Sequence, residues 1–213
     1  MTDTHPDWQS AQHFVLGYGS LLSASSRALH SDNVHPALAV TVHGFKREWI
    51  TRAFHEAQTY VGATPSDQAI LNAHCVPFSL NPKLQARERD YRFVQVSMAQ
   101  IEVLDCPNAQ LSHHIESSDV TLWICESLDV YPAHVSHPIY QSYIDTCLSG
   151  CISHFQEHDQ DYAELHARHF VRYTNGWQHV VNDRSKPKYP RGAEIDPATL
   201  ALIDTILHEE LEI

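Results

Sequence analysis

The sequence predicts a single α+β domain whose strands form a largely antiparallel sheet. Segments rich in β-branched and aromatic residues lie within the first 125 residues, whereas helical periodicity dominates the chain after Pro138. Strands first and helices later are typical of α+β proteins rather than of alternating α/β proteins. A chain of 213 residues can build one sizeable hydrophobic core, so one domain is the simplest interpretation.

The predicted strands are runs of aliphatic, aromatic and β-branched residues. The first covers residues 13–16 and ends at a Gly-Tyr-Gly turn. The run over 34–50 carries such residues on both sides of Gly44, which predicts either a strand pair or one long bent strand. Four further strands are predicted over 58–62, 69–78, 91–97 and 120–125.

The predicted helices follow from spacing and capping signals. From residue 138 to about 158, apolar residues recur at helical spacing with one buried face, and Gly150 within this run indicates a close packing contact. Asp196 and Pro197 supply an N-cap and a proline at the first helical position, which opens a C-terminal helix. Two other helices are predicted, a short one within 81–90 and a longer one over 161–173.

Charge limits the classes of partner. The net charge is −12, from 14 basic and 26 acidic residues. This field repels nucleic acids and anionic membrane surfaces, so we expect neither as a partner. The densest basic stretches, 87–92 and 184–191, are interleaved with acids or prolines. The negative net charge is compatible with a small zwitterionic substrate, because a local binding cradle can override the mean electrostatic potential of the chain.

Targeting and thiol signals predict a cytoplasmic protein. No apolar run approaches the roughly 20 residues of a membrane-spanning helix. The start, MTDTHPDWQSAQ, has neither the basic nor the apolar region of a secretory signal. We expect free or buried thiols rather than disulfides, with Cys147 and Cys151 packed in the core. The cysteines form no CxxC pair and lie at positions 75, 106, 125, 147 and 151.

The segment HFVLGYGSLL, beginning at residue 13, places two glycines two positions apart behind a predicted strand. It lacks the third glycine of a dinucleotide fingerprint, the Gly-Lys-Ser/Thr of a phosphate loop and the G-x-S-x-G of a nucleophile elbow. Two interpretations remain. Gly17 and Gly19 allow a sharp turn whose N–H groups, with the Tyr18 and Ser20 hydroxyls, cradle an anion or a polarised carbonyl. Alternatively, the segment is a tight strand-to-helix turn without a ligand.

Three features in order resemble the γ-glutamylcyclotransferase superfamily. VLGYGSLL matches its Tyr-Gly-Ser-(Asn/Leu)-Leu signature, LQARERDY at 84–91 matches the context L-x-x-R-E-x-x-Y of its catalytic glutamate, and Tyr143 precedes Gly150 by seven residues. The resemblance covers roughly residues 13–152. It implies a small, mostly antiparallel or mixed β-barrel with flanking helices, followed by a helical C-terminal extension over 153–213 within one domain of residues 1–213.

The resemblance also implies an activity without a cofactor. The α-amine of a small γ-glutamyl substrate attacks its own side-chain amide, which releases 5-oxoproline and an amine or amino acid. Glu88 is the implied catalytic residue, moving a proton from the attacking to the leaving nitrogen. The implied substrate-binding residues are Tyr18, Gly19, Ser20 and Leu21, through their backbone N–H groups, and Tyr143, from the helix side.

The residues around Glu88 carry further expectations. Partial burial should raise the pKa of Glu88, while Arg87 and Arg89 are expected to face solvent. Leu21 stands where family members can carry asparagine, which removes a polar side chain from the cradle. A substrate carboxylate could be recognised by basic residues past the second strand, namely Lys46, Arg47 and Arg52.

Alternatives follow from the remaining signals. The sequence has 17 histidines, including the pairs 113/114, 134/137 and 154/158, but no HExxH or Cys/His cluster, so surface histidines rather than a metal site are expected. Trp177 could close over the pocket, form a dimer contact or staple a packed tail, and the last is favoured. A catalytically silent binding protein and an amidohydrolase using Glu88 stay open. The chain is expected to be a monomer or a homodimer, and the leaving amine is not identified.

Overall fold

The strands and helices are those of a computed structural model that describes residues 8–79, 81–104, 108–117, 119–156, 158–192 and 194–212. Strands β1–β9 are His13–Gly17, Leu38–Ala53, Gln58–Pro77, Tyr91–Val96, Ile101–Val103, Thr121–Ser127, Ile139–Tyr140, Thr174–Asn175 and Val180–Val181. Helices α1–α6 are Ala24–Ser31, Pro82–Arg87, Ala109–Ser117, Gln141–Phe155, Gln160–Arg172 and Pro197–Leu211. A short 3-10 helix, Ser20–Leu22, follows β1.

A mixed sheet forms the centre of the fold, which confirms the predicted α+β class. Its described strands are ordered β4-β6-β1-β3-β2-β5, and β8 also pairs with β2. β1 runs parallel to β6, whereas the other neighbours in this order are antiparallel. Beyond the end of β1, β3 meets β6 directly through the Ala63–Glu126 pair. The sheet therefore curls where β1 stops, and the chain after Gly17 has to leave it there.

The two longest strands are β2 and β3. A register shift between His43 and Phe45, with Gly44 at φ +85°, bends β2 without ending it, as one of the two predictions for this segment required. The prediction of separate strands at 58–62 and 69–78 is wrong, since β3 runs without a break over 58–77. Its polar middle resembles a loop in sequence but pairs with the segment of β2 beyond the bend.

The helices cover the sheet as their sequence signals indicate. Asn81 and Asp196 accept N-cap hydrogen bonds that open α2 and α6. A Cβ atom at Gly150 of α4 would lie 2.5 Å from the backbone carbon of Leu22 and the nitrogen of Ser23, which confirms the close contact predicted there. Helices α1 and α3 are short and rich in serine and histidine, and they were not predicted.

The core contains the thiols as expected. Cys75, Cys125, Cys147 and Cys151 are free and buried, and Cys106 lies outside the described residues. Trp49 is fully buried at the centre of the apolar cluster. Within the described part of the chain, no helix is long and apolar enough to cross a bilayer.

Candidate active site

Tyr18 anchors the loop between β1 and the 3-10 helix to the sheet. Its hydroxyl donates to the carbonyl of Cys125 in β6 and accepts from the N–H of Ala63 in β3, at 3.1 Å. The tyrosine thus bridges the two strands that converge beyond β1. Since both bonds go to the protein's own backbone, the Tyr18 hydroxyl is structural rather than part of the predicted cradle.

The two glycines of the loop are required by close approaches. A Cβ atom at Gly17 would lie 2.4 Å from Cβ of Leu21, and one at Gly19 would lie 2.9 Å from Cγ2 of Val61 and 2.7 Å from the hydroxyl of Tyr143. The turn folds back on itself and is pressed against α4. The following residues begin a helical turn, whose first N–H groups have no intrahelical acceptor.

Glu88 lies at the C-terminal end of α2 and is 9 % exposed. Burial raises the pKa of its carboxyl group, against the opposing effect of the positive charges of Arg87 and Arg191 and of a hydrogen bond with the Cys125 thiol. The Arg87 Nε atom is 3.4 Å from Glu88 Oε1. A carboxyl group that holds its proton more tightly than usual therefore faces the loop in a largely water-free setting.

Arg87 does not face solvent, so that expectation is wrong. Its Nη atoms donate to the hydroxyls of Ser20 and Ser31, each at 2.8 Å, and its side chain is 3 % exposed. Arg87 thereby connects the loop to α1 and to Glu88. These hydrogen bonds offset the cost of burying its charge. Arg89 is exposed, as expected.

Tyr143 enters from α4 within a cluster of aromatic rings. Its ring centroid lies 4.8 Å from that of Tyr60 and 4.7 Å from that of Tyr189. Burial raises the pKa of Tyr143, so its hydroxyl stays protonated at neutral pH and can donate a hydrogen bond. Tyr91, beyond Glu88 in β4, donates its hydroxyl to the carbonyl of Val61 at 2.7 Å.

One cavity of about 410 Å³, counted out to its open mouth, brings together the predicted loop, Glu88 and the tyrosine of α4. Residues 18–21, Glu88 and Tyr143 all line it. The cavity also has walls that the sequence reasoning did not assign to the site. These are Leu16, Gly17, Tyr60, Val61, Arg87, Tyr91, Cys125 and Arg191.

Arg191 and Tyr189 belong to the segment before α6, far from the predicted core in sequence. The Arg191 guanidinium lies over the rings of Tyr60 and Tyr189, 5.2 Å from each centroid, and its Nε donates to the Tyr189 hydroxyl at 3.2 Å. The only sequence signal for this contribution was the basic, proline-containing stretch over 184–191. The C-terminal extension therefore completes one wall of the cavity.

The basic residues that were candidates for carboxylate recognition lie elsewhere. Lys46 pairs with Glu48 at 2.7 Å, and Arg52 donates to the carbonyl of Pro132. Arg47 is fully buried under the loop and donates to the Tyr18 carbonyl at 3.1 Å. None of these three cations is among the residues that line the cavity. Their predicted role in substrate binding is therefore wrong.

Trp177 and the histidines also lie outside the cavity. Trp177 packs on Trp49 with 5.1 Å between ring centroids, as a packed tail requires. His154 is half-buried against His74, at 4.3 Å between centroids, so it is not a surface histidine. His74 is itself buried with its Nε2 atom 3.3 Å from that of His166. Among the described residues, no group of three or more His, Cys, Asp or Glu side chains could hold a metal ion.

Comparison with known proteins identifies the fold. The structure of a γ-glutamyl cyclotransferase superposes with a TM-score of 0.50 at 12 % sequence identity, covering 91 % of this chain and 98 % of that one. An uncharacterized human protein (TM-score 0.46, 12 % identity, 90 % and 97 % covered) is less similar. A yeast γ-glutamyl cyclotransferase specific to glutathione (TM-score 0.41, 11 % identity, 92 % and 98 % covered) is less similar again. On the first of these superpositions, the chain has the fold of a γ-glutamyl cyclotransferase, the fold that the sequence resemblance implies.

No protein-family model matches the sequence, and no curated protein is significantly similar.

Proposed function

We propose that the protein is a γ-glutamylcyclotransferase that converts a γ-glutamyl substrate into 5-oxoproline and a free amine. The observation that carries the proposal is the pairing of a buried carboxyl group of raised pKa, Glu88, with the loop of residues 18–21 in one cavity. A carboxylate and a set of backbone N–H donors are the two parts that this cyclisation needs.

The reaction balances without water or a redox partner. The substrate's α-nitrogen forms a bond to its γ-carbonyl carbon, and the bond from that carbon to the leaving nitrogen breaks. Glu88 accepts the proton that the attacking nitrogen loses and delivers it to the leaving nitrogen. Burial strengthens the ionised carboxylate as a base, and the raised pKa leaves the protonated form able to act as an acid near neutral pH.

The loop supplies the second part. The first N–H groups of the 3-10 helix that starts at Ser20 can donate to the oxyanion that develops on the γ-carbonyl oxygen, and one well-aimed donor contributes about 3 kcal/mol to such a transition state. Arg87 holds Ser20 and Glu88 in register, and the protonated Tyr143 hydroxyl adds a donor beside Gly19. A closed aromatic wall restricts the flexible glutamyl chain, which favours the cyclising conformation.

The test is 5-oxoproline release from γ-glutamyl-alanine, followed by chromatography. Glu88→Gln keeps the size of the side chain but cannot accept the proton, and we expect its kcat to fall by roughly 10²- to 10⁴-fold. Asp129→Asn is the matched control, because Asp129 is an exposed acid that neither lines the cavity nor is among the charges that shift the pKa of Glu88, and it should keep the wild-type rate.

Three outcomes would contradict the proposal. Free glutamate in place of 5-oxoproline would indicate an amidohydrolase, and binding without any product would indicate a silent binding protein. An unchanged rate in Glu88→Gln would remove the carboxylate from the mechanism.

A further inference from the structure

A second cleft adjoins the candidate active site on the side of α2. It measures about 720 Å³ out to its open mouth and shares Arg87 and Arg191 with the first cavity. Both arginines therefore stand between the two spaces. A substrate whose γ-glutamyl part occupies the first cavity has this cleft beside it for the part that leaves.

The lining of the cleft is cationic although the chain as a whole is acidic. Lys83, Arg87, Arg89 and Arg191 line it against one lining acid, Glu56. Lys83 pairs with Asp32 at 2.7 Å, Arg87 lies 3.4 Å from Glu88 and Arg89 lies 3.8 Å from Asp90. Those three charges are therefore partly balanced by acids outside the lining.

The pKa of His30, in the same cleft, is affected by these cations. Burial is the main effect that lowers the pKa of His30, and the charges of Arg87, Arg191 and Lys83 lower it further. The charges of Arg87, Arg191 and Lys83 therefore act together on this edge of the cleft.

Arg191 is the cation best placed to bind a ligand. Its Nη1 atom is 3.6 Å from Oε1 of Glu56, which is too long for a hydrogen bond, while the other Glu56 oxygen accepts from the Tyr60 hydroxyl. The guanidinium packs against the rings of Tyr60 and Tyr189, so less side-chain freedom remains to be lost on binding. A planar guanidinium suits a carboxylate, which it can bind through two parallel hydrogen bonds.

Resting on the proposed function, we infer that Arg191 and the cationic cleft bind a carboxylate on the leaving group. Arg191 then selects, among γ-glutamyl substrates, those whose leaving group carries a carboxylate. γ-Glutamyl derivatives of polyamines are disfavoured, because their leaving group would bring positive charge into a cationic cleft.

The experiment compares three substrates that differ only in the leaving amine, namely γ-glutamyl-alanine, γ-glutamyl-ethylamide and γ-glutamyl-putrescine. Arg191→Met removes the charge and keeps an apolar stem over the tyrosines, and Arg191→Lys keeps the charge without the planar fork. Arg92→Met is the control for net charge, since Arg92 is 63 % exposed and lines neither space. Melting temperatures and circular dichroism verify that each variant is folded.

We expect kcat/KM of wild type to rank γ-glutamyl-alanine first and γ-glutamyl-putrescine last. Removing the Arg191 charge also raises the pKa of Glu88, which affects both substrates alike. Arg191→Met should therefore lose roughly 10- to 100-fold more kcat/KM with γ-glutamyl-alanine than with γ-glutamyl-ethylamide, the range for one hydrogen bond to a charged group. With γ-glutamyl-alanine, the kcat/KM of Arg191→Lys should lie between those of wild type and Arg191→Met, and Arg92→Met should match wild type. If Arg191→Met loses equally with γ-glutamyl-alanine and γ-glutamyl-ethylamide, Arg191 binds the glutamyl part or stabilises the fold, and the inference is overturned. A wild-type preference for γ-glutamyl-putrescine would overturn it too.

A calorimetric titration with γ-glutamyl-alanine separates this inference from the proposed function. If wild type releases no 5-oxoproline but binds γ-glutamyl-alanine more tightly than γ-glutamyl-ethylamide, and Arg191→Met abolishes that difference, the proposed activity fails and the carboxylate site stands. If wild type binds neither compound, or binds both equally, the carboxylate site fails. If Arg191→Met does not fold, Arg191→Lys decides by the same comparison.

Discussion

The hydroxyl oxygen of Tyr143 lies 2.7 Å from the point that a Cβ atom on Gly19 would occupy. These residues stand 124 positions apart, one in the loop after β1 and the other in the first turns of α4. The contact leaves room for a glycine and for nothing larger, so helix and loop together shape the floor of the cavity. It also explains why a glycine is needed here without any positive φ angle.

Gly19→Ala should therefore damage the site more than the fold. The added methyl group meets Tyr143 and Val61 at less than 3 Å, so the loop has to shift away from α4. We expect kcat/KM for 5-oxoproline release to fall by roughly 100-fold, the cost of misplacing a catalytic group by about 1 Å. The double variant Gly19→Ala/Tyr143→Phe removes one of the two clashes. The loss of kcat/KM in the double variant should be smaller than the product of the losses in the two single variants. A loss equal to that product would contradict the contact between Gly19 and Tyr143.

Glu88 should make stability depend on pH in a defined direction. Burial raises its pKa above the ordinary value of 4.5, so the folded state keeps this proton to a higher pH than the unfolded state does. The free energy of unfolding then decreases as pH rises from about 4.5 through the raised pKa, because the folded state binds more protons in that window. Glu88→Gln removes this dependence.

Urea denaturation at about pH 4 and about pH 8 measures that effect. The stability of Glu88→Gln relative to wild type should increase between the two pH values. Asp129→Asn, at an exposed acid that is not among the charges acting on Glu88, should show no such increase. A difference that stays constant or decreases with pH would mean that the folded state favours the ionised carboxylate.

Arg47 should be among the most costly residues to replace. It is fully buried and donates to the side-chain oxygens of Thr174 and Asn72 and to the carbonyls of Tyr18, Asn72 and Phe170, at 2.6 to 3.1 Å. Arg47→Met removes these five hydrogen bonds, although the Phe170 carbonyl still accepts from the Thr174 hydroxyl. The free energy of unfolding should therefore fall by about 3 kcal/mol or more.

The matched control for Arg47 is Arg52→Met, in the same strand. Arg52 donates to one carbonyl near the surface, and its loss should cost about 1 kcal/mol or less. Chemical denaturation of both variants provides the comparison. Equal losses would show that Arg47 is not the link between the loop, β3 and α5 that its bonds describe.

Gly150→Ala reverses the usual effect of helix propensity. In an exposed helix the change stabilises by up to about 1 kcal/mol. In α4 the new Cβ atom would lie 2.5 Å from the backbone at Leu22 and Ser23, and backbone cannot move aside as a flexible side chain can. We expect a lower melting temperature, with Ser153→Ala on the exposed face of α4 as the control. A melting temperature that rises in Gly150→Ala would show that α4 does not pack directly on the 3-10 helix.

Local signals predicted most of the secondary structure. The bend at Gly44, the caps at Asn81 and Asp196 and the buried stripe of α4 each depend on a few neighbouring residues, and each was readable in the sequence. The sequence does not show that the two predicted strands merge into β3, because residues 64–68 are four polar residues and a proline. In the folded chain the strand continues through them, and residues 63–65 pair with β2.

The sequence by itself determined the pieces of the candidate site: the two-glycine loop, the glutamate of LQARERDY and the tyrosine of α4. The tertiary structure alone decided that Arg87 is buried, that the Tyr18 hydroxyl bonds to the backbone of β3 and β6, and that Arg191 lines the cavity. The physical reason is that turns and helix faces follow from local geometry, whereas the burial and charge environment of a side chain depend on what packs against it from distant parts of the chain.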